Sequence, residues 1–215
     1  MSRVRVKICG ITTLSDALLA AELGADMLGF IFYAKSPRAI EPAAARAIID
    51  RLPPYVTPVA VVVNESVEAV RRILDESGCL VAQLHGDESS AFLEALGRPA
   101  MRAVAVAEMA DLDAIPHYPL ARAILLDTKV PGQSGGTGRT FDWHIAREAR
   151  RYGRPIVLAG GLCPENIADA IRIAQPDAVD ISSGIEAAPG RKEHEKMRQL
   201  FAAIASGRTD PLIET

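Results

Sequence analysis

Short apolar runs rich in β-branched residues alternate along the chain with stretches whose apolar residues recur at helical spacing. Residues 4–9 (VRVKIC), 27–33, 57–63, 80–85, 101–106, 122–127, 155–160 and 178–183 read as strands. Between them LSDALLAAELG, EPAAARAIIDRL, SVEAVRRILDESG, SAFLEALG, a short MADLDAIP, FDWHIAREARRYG and PENIADAIRIAQ read as helices, and KEHEKMRQLFAAIAS supplies the last. Ser15, Ser66 and Ser89 are placed to cap helix starts. Pro42 and Pro164 suit first-turn positions, and Gly24, Gly78, Gly97 and Gly153 suit helix ends. Strict alternation of eight strands with eight helices predicts an α/β fold, a single-domain (β/α)8 TIM barrel over residues 1–207, with 208–215 as a flexible tail. The alternative is an open, doubly wound sheet, because strand five and helix five carry the weakest patterns.

Composition narrows the class. Apolar residues make up 49% of the 215, enough for a sizeable core. A net charge of −3 offers no footprint for nucleic acid, and no charge block suggests a membrane-binding tail. The most apolar stretch, ALLAAELGADMLGFIFY, is broken by Glu22 and Asp26, so it is not a membrane span. The opening MSRVRVKICG lacks the apolar core of a signal peptide. Cys9, Cys79 and Cys163 are odd in number and far apart, and form no zinc-like spacing with the four histidines. Reduced thiols in a cytoplasmic protein with no metal and no cofactor are therefore expected.

In a barrel of this kind the site lies at the C-terminal ends of the strands, where interior and helix-facing side chains alternate. Lys7 and Cys9 share one face of the first strand. Gln83 and His85 share one face of the fourth, Ala123, Leu125 and Asp127 of the sixth, and Asp180 and Ser182 of the eighth. Their opposite faces are mostly apolar, so the polar set converges on the barrel mouth. Taken singly, each also suits a plainer role: Cys9 as a small buried apolar residue, Asp127 as a loop cap, His85 as a structural histidine. Lys7 is harder to set aside, since an interior ammonium needs a partner, and Asp180 on the adjoining strand is the candidate. Arg38, in the loop SPR, stands above the mouth. PGQSGGTG (131–138) is richer in glycine than a connection requires and suits a lid or ligand clamp. AGGL (159–162) and SSG (182–184) expose backbone amides that, with a helix N-terminus, suit phosphate.

KICGIT, SPR, QLHG, LLDT followed by GGTG and FDW, LAGGL with PEN, and VDISSGIE followed by PG occur in that order. Together they resemble phosphoribosylanthranilate isomerase of tryptophan biosynthesis from residue 7 to about residue 190. The resemblance implies an Amadori rearrangement of N-(5-phosphoribosyl)anthranilate, an aminoaldose, to the open-chain aminoketose 1-(2-carboxyphenylamino)-1-deoxyribulose 5-phosphate. It makes Cys9 the general base and Asp127 the general acid. Ring opening needs a proton donor and removal of the C2 proton needs a base, while the protonated imine serves as electron sink. Lys7 is then a candidate for tuning the thiol, and partial burial is expected to keep Asp127 protonated. Arg38 suits the anthranilate carboxylate. The amides of Gly160, Gly161, Ser183 and Gly184 suit the phosphate, with Gly136 to Gly138 closing from the other side. Gln83 and His85 are placed on the sugar or anthranilate, and Asp180 either on substrate or on Lys7.

Other phosphate-binding barrels fit less well. An indoleglycerol-phosphate synthase would need an interior lysine and glutamate set. A ribulose-phosphate epimerase would need metal-binding histidines and paired aspartates. An isomerase of the histidine pathway would show two similar halves and paired aspartates, whereas the first strand here ends in Cys9. A catalytically dead sensor of a phosphorylated metabolite would have no use for both Cys9 and Asp127. The expected partner is a small phosphorylated substrate, and the chain is expected to be a monomer or homodimer.

Overall fold

All eight apolar runs form parallel strands in the computed structural model, which describes residues 3–129 and 140–206. They are β1 (Arg5–Cys9), β2 (Met27–Ile31), β3 (Thr57–Val62), β4 (Val81–Leu84), β5 (Ala100–Val106), β6 (Ile124–Thr128), β7 (Ile156–Leu158) and β8 (Ala178–Ile181). Each pairs with the next, and β8 pairs with β1, so the sheet closes on itself. Closure removes every edge of unpaired N–H and C=O groups. It also decides between the barrel and the open sheet, in favour of the barrel.

Around it lie α1 (Leu14–Leu23), α2 (Pro42–Ile49), α3 (Val67–Ser77), α4 (Ser90–Leu96), α5 (Trp143–Ala149), α6 (Ile167–Ala174) and α7 (His194–Ser206). Ser66 and Ser89 cap α3 and α4 as expected, accepting from the N–H groups of Ala69 and Phe92. At α1 the cap is Thr13, two residues before Ser15, and its hydroxyl accepts from Asp16. Pro164 falls in the turn before α6 rather than in its first turn. The weak fifth helix is a 3-10 helix, Met109–His117. Pro116 inside it has no N–H to offer an α-helical ladder. Among the described residues no helix is long and apolar enough to cross a membrane.

The alternation read from the strands divides the core in two. Val6, Ile8, Leu84, Leu126 and Ile181 pack outward under the helices. Val59, Met101, Ala103, Leu125, Val157 and Ala178 fill the interior. Interior positions nearer the strands' C-terminal ends are where the polar residues stand. One element has no counterpart in the sequence reading: after β8 the chain forms a two-stranded ribbon, β9 (Glu186–Ala188) and β10 (Arg191–Lys192), before entering α7.

Candidate active site

Lys7 on β1 is fully buried and lies in register with Asp180 on β8. Its Nζ is 2.9 Å from both carboxylate oxygens, which settles the partner that an interior ammonium demands. Cys9 stands one step nearer the mouth, opposite Gly29 on β2. A Cβ at Gly29 would lie 2.7 Å from the Cys9 Sγ and 2.9 Å from the Lys7 Nζ, so the missing side chain is what makes room for both.

The electrostatics of this group bear on the thiol. Burial pushes the Cys9 thiol above its ordinary value, the Lys7 ammonium pulls it part of the way back, and Asp180 pushes it up again. Lys7 therefore does act on the thiol in the expected direction, but desolvation outweighs it. Burial also pulls on Lys7, and there the Asp180 carboxylate, with a smaller contribution from Cys9, prevails, raising it, so it stays charged. Lys7→Met should move the midpoint of Cys9 alkylation, followed by peptide mass spectrometry, further upward. The double variant Lys7→Met/Asp180→Asn should also titrate above the parent, because the ammonium acts on the thiol more strongly than the carboxylate does. An unchanged midpoint in both would remove Lys7 from the thiol's surroundings.

On the far side of the barrel, Asp127 stands one residue before the end of β6. Its Oδ1 accepts from the Thr128 N–H at 2.8 Å, and its Oδ2 lies 3.4 Å from the His85 Nε2. The Gln83 Nε2 lies 3.0 Å from the His85 Nδ1, while the His85 Nε2 faces the carboxylate. Arg102, on the helix-facing side of β5, donates to the carbonyls of Leu84 and Gly86, one on each side of His85. It also pairs with Glu88 at 2.7 Å and stacks over Tyr118. Sequence reasoning missed Arg102 because its parity points away from the site; it works through the loop that carries His85.

Arg38 is held over the mouth by a pair of residues that were equally hidden. Its Nε lies 2.9 Å and its Nη2 2.8 Å from the Glu186 carboxylate oxygens on β9. The aliphatic stem crosses Gly10, where a Cβ would lie 2.8 Å from the Arg38 Cδ and where φ is +76°. The glycine after Cys9 in KICG thus serves the arginine.

In the loop after β7, Gly160 and Gly161 have successive positive φ values of +85° and +62°. Among the described residues no acceptor takes either N–H. Two adjacent amides are thus left open to a ligand. Asn166 fixes the loop, donating to the Gly161 carbonyl and accepting from the Cys163 N–H, each at 2.9 Å. Gly184 also has a packing task. A Cβ there would run into the Leu162 carbonyl and lie 2.9 Å from the Cys163 Cβ, so this glycine lets the loops after β7 and β8 dock on each other.

These elements enclose one cavity of about 520 Å³ at the barrel mouth. Cys9, Arg38, Gln83, His85, Asp127 and Asp180 line it, together with Gly160, Gly161 and Ser183. Lys7 lies buried beneath it and Gly184 behind it. Gly136 and Gly138 fall outside the described residues. Ser182, read on the same strand face as Asp180, lines the cavity as well, and Tyr33 and Lys35 line it without having been singled out.

With that geometry in view, comparison with known proteins is informative. The family model for N-(5'phosphoribosyl)anthranilate (PRA) isomerase matches residues 6–203. An N-(5'-phosphoribosyl)anthranilate isomerase of Trichlorobacter lovleyi is 48% identical over 198 residues, 92% of this chain and 96% of that one. The crystal structure of the Thermotoga maritima phosphoribosyl anthranilate isomerase superposes with a TM-score of 0.88 at 42% identity, covering 94% of this chain and 99% of that one. A further structure, solved in complex with reduced 1-(o-carboxyphenylamino)-1-deoxyribulose 5-phosphate, superposes with a TM-score of 0.85 at 40% identity, covering 94% and 99%. A closed barrel with a thiol and a carboxylate facing one cavity, matched along nearly its whole length, places the chain in the N-(5'-phosphoribosyl)anthranilate isomerase family.

Proposed function

We propose that this chain converts N-(5'-phosphoribosyl)anthranilate to 1-(2-carboxyphenylamino)-1-deoxyribulose 5-phosphate, the Amadori rearrangement of tryptophan biosynthesis, with Cys9 and Asp127 as base and acid. The observation that carries this reading is the single cavity shared by a thiol, a carboxylate beside an imidazole, an anchored guanidinium and a pair of free glycine amides.

The steps follow from that layout. Asp127 protonates the ribose ring oxygen, and the C1–O bond opens to a protonated Schiff base. Cys9, as thiolate, removes the proton from C2, and the electron pair moves into the imine to leave an enolamine. Proton return to C1 and loss of the C2 hydroxyl proton give the ketone. Because burial holds the resting thiol above its ordinary value, the thiolate is scarce before substrate arrives. The cation created by ring opening then favours it at the moment it is needed. Gly160, Gly161 and Ser183 receive the phosphate, which fixes one end of the substrate. Arg38 receives the carboxylate at the other end.

Growth of an isomerase-deficient tryptophan auxotroph without added tryptophan tests this function. Rescue by the parent chain is expected, and failure of a folded, expressed chain to rescue would overturn it. Arg38 yields a more local expectation. Arg38→Lys should raise KM almost as far as Arg38→Ala, about 10- to 100-fold, because an ammonium cannot hold Glu186 and a second carboxylate in planar pairs. A near-parental KM for Arg38→Lys in steady-state assays would show that charge alone suffices.

A further inference from the structure

Glu186 presents a puzzle for any site that receives a carboxylate. Its own carboxylate sits against Arg38, 2.8 Å from Nη2, and by itself would cancel the charge that recognises the substrate. Lys192, on β10, resolves it. Its Nζ lies 2.9 Å from the Glu186 Oε1 and 3.1 Å from the Ser182 carbonyl, and its side chain has no exposure to solvent. Burial pushes Glu186 up, but Arg38 and Lys192 outweigh it and hold the carboxyl below its ordinary value, so it is an anion. Burial pulls the Lys192 ammonium below its ordinary value, and Glu186 opposes that pull without cancelling it.

The ribbon itself is fixed at both ends. The Lys192 N–H donates to the Asp16 Oδ2 at 3.1 Å, the Gly190 N–H to the Glu186 Oε1 at 3.3 Å, and the Thr12 hydroxyl to the Gly190 carbonyl. Arg38 lines the cavity, whereas Glu186 and Lys192 do not. The bonds to Glu186 leave from Nε and Nη2, and among the described residues nothing takes the Nη1 edge.

We propose that Arg38, Glu186 and Lys192 form one receptor of net charge +1 for the substrate's aromatic carboxylate. Glu186 aims the guanidinium, and Lys192 offsets the charge that Glu186 brings. Lys192 is a positioning residue that never touches the ligand. The proposal rests on Arg38 binding that carboxylate and adds to it the source of the site's net charge.

Two probes separate the pieces: the reduced product analogue, 1-(o-carboxyphenylamino)-1-deoxyribulose 5-phosphate after reduction, and the same compound without the ring carboxylate. Calorimetry gives the ratio of their affinities, a preference due to the carboxylate alone. Lys192→Met should lower that preference about 10-fold while leaving the decarboxylated probe within about threefold of the parent. Lys192→Met/Glu186→Gln returns the net charge to +1, and the glutamine oxygen still accepts from Arg38, so the preference should return to within about threefold of the parent. A parental preference in Lys192→Met, equal weakening of both probes, or no recovery in the double variant would each overturn the proposal. Should Lys192→Met fail to fold, Glu186→Gln decides: its receptor carries +2, so the preference should exceed the parent's, and an unchanged or lower one refutes the proposal. Arg38→Ala is the separate control. If it keeps the parental preference, the placement of the carboxylate on Arg38 is what fails.

Discussion

Asp127→Asn should lower kcat about a thousandfold and leave KM near the parental value. Asparagine fills the same space and its oxygen can still accept from the Thr128 N–H that the Asp127 Oδ1 accepts from at 2.8 Å, so the loop after β6 keeps its anchor. What the amide cannot do is deliver an acidic proton to the ring oxygen. Ring opening then depends on water or on His85, whose Nε2 lies 3.4 Å from the missing acid. A general acid contributes roughly 10²- to 10⁴-fold, so the loss falls on kcat and not on ground-state binding. His85→Asn should cost much less, about 10-fold, because it removes only the neighbour that orients the carboxyl. Steady-state kinetics of the two variants side by side check both statements. A larger loss in His85→Asn than in Asp127→Asn would exchange their roles.

The second large effect is on stability. Asp180→Ala strands the Lys7 ammonium in the barrel interior, where it is fully buried and has both its carboxylate bonds from that one residue. Breaking a buried pair from one side costs about 3–5 kcal/mol. For a chain of this size that lowers Tm by roughly 6–20 °C. Replacing both partners with apolar residues, Lys7→Met/Asp180→Leu, removes the stranded charge and should recover most of the loss. Urea unfolding of the two variants measures the difference. The double variant would nonetheless lack the cation that pulls on the Cys9 thiol. A stable but slow enzyme would therefore mark the pair as retained for chemistry rather than for the fold. Single-variant stability within about 1 kcal/mol of the parent would contradict this.

Much of the site was legible because strands report parity. Once Lys7 and Cys9 fall on one face of β1 and Asp127 on the matching face of β6, a closed barrel brings them to one mouth. A lysine on an interior face implied an anion beside it, and the register of β1 with β8 supplied Asp180. The residues that escaped act indirectly. Arg102 has outward parity and reaches the site only through two carbonyls. Gly10 and Gly29 matter for what they leave empty, which depends on how Arg38, Cys9 and Lys7 lie against them. The ribbon carrying Glu186 and Lys192 spans so few residues that it leaves no period-two pattern, and PG is its one turn signal. The balance of the thiol was illegible for a related reason. An adjacent lysine can be seen in a sequence, but the depth of burial that outweighs it depends on the whole closed barrel.

The most direct measurement is the loss of substrate fluorescence with time in the presence of the purified chain, compared with Cys9→Ala and Asp127→Asn at equal concentration. The parent should consume N-(5'-phosphoribosyl)anthranilate to completion. Each variant should turn over at least about 100-fold more slowly while still binding the reduced product analogue. Turnover at the parental rate by both variants would contradict the assignment of base and acid, and no turnover by the folded parent would contradict the function itself.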